Sequence, residues 1–529
     1  MTHEGATQVP RILIVDDDPT IREVLRSALA DPGRRMLLAA SGAEALALLD
    51  NEGADIVLLD VMIPGESGID VCRRLRARSA RMPVILVTSL NDEATLKEGF
   101  EAGATDYITK PFRRTEVRAR VASALRTVEY ERRLERLNSD LLSDLEAASI
   151  VQRYLVHRPV DYDPPLFVSS HYEPSSKLGG DLFEAVKIGP SRWGFYMCDI
   201  SGHGTRAALL MAAMKTALRT LIEAEAEQFD PATAAQRLNA IVCRDFMDGQ
   251  FMTALLGTLD AQTREVTCYN AGHPPPLVVD RTTGEVTTYD VKAGVPLGWR
   301  PHLPDAAAER FSFTLPAESV LVLYTDGVFE CRDRSGEQLG LAGMHALLSR
   351  TASSEHPMSF PHAFRDALNA GGYDTSADDF TISSIAIAGR PELTFAATAS
   401  AGAVSLVSEQ IQNAVYRETS DDTLANKVAL VYSEIANNAV RHGGGEVMSA
   451  SMIAELSIAE RVTLRFFDCG KSFSAAERDA RTYEEPGPLK ESGYGLHIIR
   501  CLTDEYATRR IALLNQTVAL LARGVPSRR

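Results

Sequence analysis

Short, almost uninterrupted apolar runs alternate with amphipathic stretches over the first part of the chain. Five such runs lie at 12–15, 36–40, 56–60, 84–89 and 106–109. Runs of this kind are typical of strands that are buried on both faces, and the stretches between them have the period of helices. The alternation predicts a doubly wound parallel sheet over residues 9–127.

A single amphipathic helix is predicted for the next segment, residues 128–158. Apolar side chains recur there at spacings of three and four, at Leu134, Leu137, Leu141, Leu145 and Ala148. No Gly or Pro interrupts the pattern before Pro159, so we expect a continuous helix. Two interpretations are open: a short parallel coiled coil that joins two copies of the chain, or a helix that packs on its own domain.

Two further α/β regions follow this helix. Over residues 159–389, strand-like runs alternate with turns and with helical stretches at 207–224 and 231–246, which predicts an α/β sandwich of mainly antiparallel strands. Residues 391–529 predict a second α/β sandwich. Its helices are expected at 403–419, 423–442 and 495–506, and its strands at 448–458, 461–468 and 517–522.

Composition limits the location and the partners. The chain has 529 residues, which implies three or four domains, and its formal net charge is -16. Such an acidic chain is a poor partner for nucleic acid or for an anionic membrane. Its seven cysteines stand singly, as expected for reduced thiols. No apolar run is long enough for a bilayer and the N-terminus lacks the apolar stretch of a signal peptide, so we expect a cytoplasmic protein.

Polar side chains stand where the strands of the first region end. They are Asp16 and Asp17 after the first strand, Asp60 after the third, Thr88 after the fourth and Lys110 after the fifth. Because the carboxyl ends of parallel strands meet at one edge of the sheet, we expect these side chains to converge. Clustered carboxylates bind Mg²⁺, while a lysine and a hydroxyl can bind a phosphoryl group.

These residues, in this order, resemble the response-regulator receiver family, which has a flavodoxin-like fold. The resemblance implies that Asp60 accepts a phosphoryl group from a cognate sensor histidine kinase. It also implies one Mg²⁺ and a switch that reads the phosphoryl group. The implied metal ligands and switch residues are Asp16, Asp17, the Met62 carbonyl, Thr88, Tyr107 and Lys110.

Acidic residues beside tight turns recur in the second region. They are Asp181 in GGD, Asp199 in CDISGHG, Asp326 in YTDG and Asp378 in DDFT. Glycine turns at strand ends expose such acids at one edge of a sandwich. Hydrolysis of a phosphomonoester needs charge neutralisation and a hydroxide nucleophile, which two divalent ions supply. Carboxylates suit Mg²⁺ or Mn²⁺, so a two-metal phosphatase centre is predicted.

Together with GGDLFEA and NAGHPPPL, these motifs resemble the PPM-type (type 2C) serine/threonine phosphatases, above all their bacterial sporulation and stress-response branch. The resemblance implies that Asp181 and Asp199 bridge or flank two metal ions, with the Ile200 carbonyl as a further ligand. It implies that Asp326 and Asp378 hold the second ion.

Three other positions of this region are treated separately. Asp379 is expected to support the centre rather than bind metal. Glu184 stands where many relatives have Asp, and we expect it to remain an acid near the metal ligands. His203 lies two positions later than the histidine that eukaryotic relatives use as general acid, so it is assigned no such role.

A nucleotide site is predicted in the last region. Glu434 and Asn438 are four residues apart on one predicted helix and therefore share a face. An Asn oxygen can hold a Mg²⁺ that bridges the phosphates of ATP, and a Glu can position or deprotonate an attacking hydroxyl. Asp468, at a strand end, can accept the amino hydrogen of adenine. Backbone approach to the nucleotide is expected at Gly470, Gly493 and Gly495.

This pattern resembles the GHKL ATPases and, among them, the anti-sigma-factor serine kinases. One departure is Ser472, where many members have the second Gly of D-x-G-x-G. A histidine kinase of this group needs an exposed His on a helical hairpin before the ATP domain. His356 and His362 lie in a stretch broken by prolines and His442 lies in the Asn-box helix, so a protein Ser or Thr is the predicted acceptor.

The resemblances together imply a response regulator that adds and removes phosphate on a serine or threonine of a STAS-type anti-sigma-factor antagonist. ATP and Mg²⁺ or Mn²⁺ are the implied cofactors. In the alternative, only the phosphatase turns over, and the last domain binds nucleotide and sequesters a sigma factor or the antagonist. The carboxylate of Glu434 favours the first hypothesis because a sequestering domain does not need it.

Overall fold

The computed structural model of the chain describes residues 9–79, 81–89, 93–156, 160–202, 204–246, 249–289, 294–303, 310–352, 355–389, 391–442, 451–470, 494–511 and 514–522. Two compact units emerge, Met1–Asp144 and Leu145–Arg529. Among the helices in these ranges, none combines the length and the apolar character that a bilayer span requires.

The first unit contains an open, five-stranded parallel sheet. Its five strands are β1 (Arg11–Val15), β2 (Arg35–Ala39), β3 (Ile56–Asp60), β6 (Val84–Thr88) and β7 (Asp106–Thr109). A separate small hairpin of β4 (Met62–Ile63) and β5 (Glu66–Ser67) follows β3. The sheet order is β2-β1-β3-β6-β7, which is the flavodoxin-like order. Its helices are α1 (Pro19–Leu29), α2 (Gly42–Glu52), α3 (Gly68–Arg78) and α4 (Glu93–Glu101). The predicted doubly wound parallel sheet is confirmed.

Helix caps in this unit also place the acids of the sheet edge. Asp18 accepts a hydrogen bond from the Thr20 backbone N–H and so begins α1. A cap of this kind stabilises a helix by about 0.5–2 kcal/mol. Since the cap follows Asp16 and Asp17 directly, the turn that starts α1 keeps both carboxylates at the carboxyl end of β1.

One helix, α5 (Arg114–Val156), replaces the separate linker that the sequence predicts at 128–158. It carries residues of both units. The helix starts earlier because neither Gly nor Pro occurs between its first and last residues, so nothing in the sequence separates the last helix of the first unit from the linker. The first three leucines of the predicted stripe are exposed, Leu134 by 66%, Leu137 by 51% and Leu141 by 61%.

The second unit begins with a sandwich of two antiparallel sheets. Its strands are β8 (Val160–Asp163), β9 (Leu166–Glu173), β10 (Leu182–Lys187), β11 (Arg192–Ile200), β12 (Met252–Asp260), β13 (Glu265–Ala271), β14 (Leu277–Asp280), β15 (Val286–Thr288), β16 (Arg310–Thr314), β17 (Ser319–Tyr324) and β18 (Phe380–Ile387). One sheet has the order β10-β11-β12-β13-β16 and the other β15-β14-β17-β18-β9-β8.

Helices cover both outer faces of this sandwich. They are α6 (Thr205–Glu225), α7 (Pro231–Asp245), α8 (Gly327–Glu330), α9 (Gly340–Ala352) and α10 (Phe360–Gly371). Large buried side chains fill the space between the two sheets, among them Trp193 and Phe195 from one sheet and Leu321 and Leu323 from the other. The predicted α/β sandwich is confirmed.

A second sandwich completes the unit. Its elements are β19 (Thr394–Thr398), α11 (Ala401–Thr419), α12 (Asp422–His442), β20 (Ser451–Ile458), β21 (Arg461–Asp468), α13 (Tyr494–Leu502), β22 (Glu505–Ile511) and β23 (Leu514–Ala522). The sheet order is β19-β20-β21-β23-β22, with α11 and α12 packed on it. The helix predicted at 495–506 is too long, because Glu505 and Tyr506 begin β22, where they pair with β23.

The two sandwiches of the second unit share an apolar core. Phe467 and Leu514 of the second sandwich belong to the same buried cluster as Phe167 and Phe360 of the first. His356 lies between two of these rings, with its centroid 5.4 Å from that of Phe167 and 4.9 Å from that of Phe467. A fully buried Phe contributes about 1.5–3 kcal/mol, so this core holds the two sandwiches together.

Polar contacts close the edge of the same interface. Nε2 of His356 is 3.1 Å from Oε2 of Glu455. Arg509 donates two hydrogen bonds to the carboxylate of Glu355, at 3.1 and 2.6 Å. Burial lowers the pKa of His356 despite the neighbouring carboxylate, so the imidazole is neutral near pH 7.

Candidate functional site

The predicted residues of the first unit converge at the carboxyl edge of its sheet. Nζ of Lys110 donates to Oδ2 of Asp16 at 2.8 Å and to Oδ2 of Asp60 at 2.9 Å. Asp16 and Asp60 are buried, whereas Asp17 is exposed. Within the described residues, Asp16, Asp17 and Asp60 are the group of three acids whose oxygens all lie within 4.8 Å of one another. Hard oxygen ligands this close fit a single Mg²⁺.

The electrostatics of this edge favour a reactive carboxylate at Asp60. Burial raises its pKa and the ammonium group of Lys110 opposes that effect. Burial tends to lower the pKa of Lys110, but hydrogen bonds to Asp16 and Asp60 outweigh burial and raise it. The lysine therefore stays charged, and its positive charge is available to a phosphoryl group on Asp60.

The remaining predicted residues of the first unit lie on the neighbouring strands β6 and β7 and in the hairpin just after Asp60. Thr88 is buried at the end of β6, and Tyr107 on β7 packs edge-on against Phe100, with ring centroids 6.0 Å apart. The backbone N–H of Met62 is 3.4 Å from Oδ1 of Asp60, and the Met62 side chain is exposed. The structure thus brings all of the predicted receiver residues to one edge or directly beside it.

Both sheets of the first sandwich contribute acids to a second edge. In one sheet, Asp199 lies on β11 and Asp181 directly precedes β10. In the other sheet, Asp326 follows β17 and Asp378 precedes β18. Among the described residues, no three acids of this edge have oxygens mutually within 4.8 Å. The acids are therefore more widely spread than those of the receiver edge, and a pair of metal ions has room between them.

Asp181 joins the two sheets beneath this edge. It is fully buried, and its Oδ2 accepts hydrogen bonds from the hydroxyls of Thr325 at 2.8 Å and Thr381 at 2.6 Å. Its other oxygen, Oδ1, is buried without a hydrogen-bond partner in the described part of the chain. A buried carboxylate oxygen with no donor fits a metal ligand, because a cation can replace the missing hydrogen bond.

Asp379 links the turn before β18 to the loop between β9 and β10 through hydrogen bonds. Its Oδ2 accepts from the Gly180 backbone N–H at 2.6 Å, and its Oδ1 accepts from the backbone N–H and hydroxyl of Ser175 at 2.7 and 2.9 Å. The Asp379 carbonyl also approaches Gly327 so closely that a Cβ there would lie 2.1 Å away. Only glycine therefore allows the turn after Asp326 to pack against the turn before β18.

The acids of this edge repel one another. Burial and the charges of Asp326, Asp378 and Asp379 raise the pKa of Asp199 to about 7. Burial and the charge of Asp378 raise the pKa of Asp326 as well. Divalent cations would relieve this repulsion, so the donor set fits Mg²⁺ or Mn²⁺. Ile200, whose carbonyl is the further expected ligand, is buried next to Asp199.

Glu184 lies within the described residues, whereas His203 does not. The carboxylate of Glu184 accepts from the Tyr196 hydroxyl at 2.5 Å and from Arg219 at 2.9 Å, so it pairs with a strand and with helix α6. The cationic side chains of Arg219 and Lys215 offset its charge. His203, which is assigned no role, lies outside the described residues.

The second sandwich holds the predicted nucleotide residues on two elements. Glu434 and Asn438 are partly buried on α12, one turn apart. Asp468 is buried at the end of β21, where its Oδ1 accepts from the Gly470 backbone N–H and from Nδ2 of Asn515, both at 2.9 Å. Burial raises the pKa of Asp468, and the hydrogen bond from Asn515 opposes this effect.

Of the two other predicted glycines, Gly495 lies within the described residues. Gly493 and the departure at Ser472 lie outside the described residues. Gly495 lies inside helix α13, which begins at Tyr494 instead of Leu496 as the sequence suggests. The helix N-terminus therefore falls two residues earlier than expected.

Several residues of these sites escape sequence reasoning. Thr325 and Thr381 bind Asp181, and Asn515 binds Asp468. Each contact joins residues at least 47 positions apart, so no local pattern reveals it. A weak signal exists in all three cases, since each polar residue interrupts or directly borders a run of strongly apolar strand residues.

We expect the metal-free protein to lose stability as the pH rises from about 4 to about 7 and to change little above that range. Burial and the neighbouring acids raise the pKa of Asp199 from 3.8 to about 7, so in this range the folded chain keeps a proton that the unfolded chain releases. Thermal melting between about pH 4.5 and 8.5 should show this decline without metal, followed by a plateau above about pH 7, and Mn²⁺ should reduce the decline. Asp199→Asn should flatten the decline, whereas the exposed control Asp245→Asn should not. An unchanged pH dependence in Asp199→Asn would contradict this account.

Protein-family comparisons match three separate stretches of the chain. Residues 12–122 match the response regulator receiver domain, residues 189–387 match stage II sporulation protein E (SpoIIE), and residues 397–520 match the histidine kinase-like ATPase domain. Transcriptional regulatory protein AfsQ1 of Streptomyces coelicolor is 42% identical over 123 residues, which is 23% of this chain and 54% of that protein. Sensory transduction protein RegX3 of Mycobacterium tuberculosis is 46% identical over 115 residues, or 22% and 50% of the two chains. The chain thus spans about half the length of these curated relatives.

Solved structures match larger parts of the chain at lower identity. The RsbU and RsbW domains of Rv1364c from Mycobacterium tuberculosis match 70% of this chain and 96% of that chain, with 22% identity and a TM-score of 0.36. The SiaA-PP2C domain of Pseudomonas aeruginosa matches 47% and 97%, with 21% identity and a TM-score of 0.39. From the family matches, the chain contains a response-regulator receiver domain, a SpoIIE-type PPM phosphatase domain and a histidine kinase-like ATPase domain.

Proposed function

We propose that this protein is a cytoplasmic response regulator that controls the phosphorylation of a serine or threonine on a STAS-type anti-sigma-factor antagonist. Its phosphatase domain removes the phosphate, and its ATPase domain adds it from ATP. The observation that carries the proposal is the edge of the first sandwich, where four acids from two sheets lie together. Burial and the charges of the neighbouring acids raise the pKa of Asp199 there to about 7. That edge lies in the same compact unit as Glu434 and Asn438.

In the proposed phosphatase reaction, the chain's own residues hold and orient the reacting groups. Asp181, Asp199 and the Ile200 carbonyl would hold metal from one sheet, and Asp326 and Asp378 from the other. Two bound Mg²⁺ or Mn²⁺ ions supply a hydroxide nucleophile and neutralise phosphate charge. Thr325 and Thr381 fix Asp181 through its Oδ2 and leave Oδ1 for the metal side.

In the proposed kinase reaction, Glu434 would position or deprotonate the acceptor hydroxyl. Asn438 would hold the Mg²⁺ that accompanies ATP, and Asp468 would accept the adenine amino hydrogen. A histidine acceptor is disfavoured because His356 is buried between two phenylalanine rings and His362 is buried on helix α10. Neither can present its ring to an ATP site without leaving its core.

The alternative is that the ATPase domain binds nucleotide and sequesters a sigma factor, an anti-sigma factor or the antagonist, while only the phosphatase turns over. Glu434 favours the kinase, since it is partly exposed on the same helix as Asn438. Such a carboxylate would serve no purpose in sequestration.

Opposed variants test the two activities. Glu434→Ala should lower phosphate transfer from ATP to a purified antagonist by about 10²–10⁴-fold, the usual contribution of a general base, yet keep nucleotide binding. Asp326→Ala should abolish metal-dependent dephosphorylation of the same substrate, because it removes a metal ligand. In cells, phosphate-affinity gels should show dephosphorylated antagonist in the first variant and phosphorylated antagonist in the second.

A matched control for the kinase is Glu409→Ala, an exposed acid on helix α11 that should leave transfer unchanged. If both variants leave the antagonist in the same phosphorylation state, the bifunctional proposal fails. Sequestration then remains if the purified ATPase-containing chain still captures the antagonist without transferring phosphate.

We also propose that Asp60 receives the input signal. Asp60→Asn should remove the response of the phosphatase to acetyl phosphate or beryllofluoride but leave its basal activity, because the substitution removes the acceptor carboxylate and not a phosphatase residue. The control Asp50→Asn changes an exposed acid of the same unit that pairs with Arg78. An equal response of wild type and Asp60→Asn would contradict an input through Asp60.

Helix α5 is the proposed homodimer contact. Tyr130, Leu134, Leu137 and Leu141 recur at spacings of four, three and four, and each is more than half exposed. In a parallel coiled coil, these four side chains would pack against the same residues of a second copy and so be removed from water. Leu137→Glu should therefore convert a dimer into a 57.6 kDa monomer in sedimentation experiments. Leu406→Glu, at an exposed position on α11, is the control, and a monomeric wild type would contradict the proposal.

A further inference from the structure

A buried histidine lies directly behind the metal-site acids of the phosphatase sandwich. His273 follows the end of β13 and is only 3% exposed. Its ring Nδ1 is 2.9 Å from the hydroxyl oxygen of Thr253 on β12. The sequence shows this residue as part of NAGHPPPL, without a role.

The backbone around His273 is fixed tightly. Asn270 accepts from the His273 backbone N–H and donates to the His273 carbonyl, each at 2.8 Å. Gly272 has a φ of 73°, and a Cβ at that position would lie 2.7 Å from Pro296. The turn therefore requires glycine, and the ring position is set by the turn rather than by side-chain freedom.

Thr253 connects this ring to the first metal-site strand. In the antiparallel pair of β11 and β12, Thr253 stands directly opposite Asp199. Directly opposite residues project on the same face of a sheet, with Cβ atoms about 4.5–5.5 Å apart. The Thr253 hydroxyl, held by His273, thus lies beside the carboxylate of Asp199.

The same ring faces the second metal-site strand. Burial lowers the pKa of His273 to about 3, against a smaller opposing effect of the nearby Tyr324 carbonyl. Nε2 makes no aligned hydrogen bond to the described residues. Tyr324 ends β17 in the other sheet, two residues before Asp326. The imidazole is therefore a neutral, buried group between the strand neighbour of Asp199 and the strand that leads to Asp326.

We propose that His273 is a positioning residue that fixes the position of Asp199 relative to Asp326 in the metal centre. It acts through the Thr253 hydroxyl and through packing at the end of β17, and it does not touch metal or substrate. The inference rests on the proposed two-metal centre. It adds a further connection between the sheets, alongside those from Asp181 to Thr325 and Thr381 and from Gly180 to Asp379.

Metal binding is the direct measurement. Supporting partners of metal ligands typically change metal affinity by about 10–100-fold, so Thr253→Val and His273→Leu should each weaken Mn²⁺ binding to the phosphatase edge by that factor in calorimetry on the full chain. Subtraction of the Asp199→Ala titration isolates the heat of this edge from that of other Mn²⁺ sites. His273→Asn, whose amide can take the place of Nδ1, should stay within a fewfold of wild type.

Controls separate this role from general stabilisation. Thr351→Val makes the same chemical change in α9, where the hydroxyl donates to its own helix, and should leave Mn²⁺ affinity unchanged. The double variant Thr253→Val/His273→Leu should bind Mn²⁺ no more weakly than the worse single variant, since both remove one interaction. Melting temperatures without metal identify variants that fail to fold.

Wild-type Mn²⁺ affinity in a folded His273→Leu protein would overturn the inference. If His273→Leu does not fold, wild-type Mn²⁺ affinity in Thr253→Val would overturn the inference. A His273→Asn protein that binds Mn²⁺ no more tightly than His273→Leu would overturn it as well. If the wild-type chain shows no Mn²⁺ binding that depends on Asp199, the proposed metal centre itself is wrong. Loss of Asp199-dependent binding in the wild-type chain thus counts against the metal centre, whereas intact binding with wild-type affinity in the variants counts against the role of His273 alone.

Discussion

Repulsion among carboxylates is the constraint around which the phosphatase sandwich is arranged. Asp199 and Asp326 come from different sheets, and, after burial, the charge of Asp326 is the main cause of the raised pKa of Asp199. Such an edge stays closed without metal only if other contacts hold the sheets at a fixed separation. Hydrogen bonds of Thr325 and Thr381 to Asp181, and of Gly180 to Asp379, provide those contacts between sheets. The clustered carboxylates thus lower the stability of the sandwich and, at the same time, form a donor set suited to cations.

The receiver edge solves a related problem in a different way. There, a built-in cation offsets two buried acids, because Lys110 binds both Asp16 and Asp60. One ammonium charge leaves the three acids with net negative charge, which suits a single divalent ion. No comparable lysine contact appears among the described contacts of Asp199 and Asp326. The described contacts therefore offset the acids of the receiver edge in part through Lys110, and offer no such cation to Asp199 and Asp326.

Sequence reasoning succeeds where a local pattern carries the information. The strands of the receiver are apolar throughout, so their limits and the acids after them could be predicted closely. It fails where long-range contacts decide. The pairing of Glu505 with β23 shortens helix α13, and the lack of any breaker merges the linker with the last receiver helix. The roles of Thr325, Asn515 and His273 arise from partners in distant strands, which a single sequence does not reveal.

The shared core of the two sandwiches gives the two proposed activities a common structural base. Asp468, at the proposed adenine site, directly follows Phe467, whose ring packs against His356 of the phosphatase sandwich. Helix α10 begins four residues after His356, and its Arg365 donates to Glu173 on β9 and to Thr375, three residues before Asp378. The proposed adenine site of one domain and the proposed metal site of the other therefore rest on one continuous set of buried contacts. Displacement is transmitted through contiguous packed side chains of this kind.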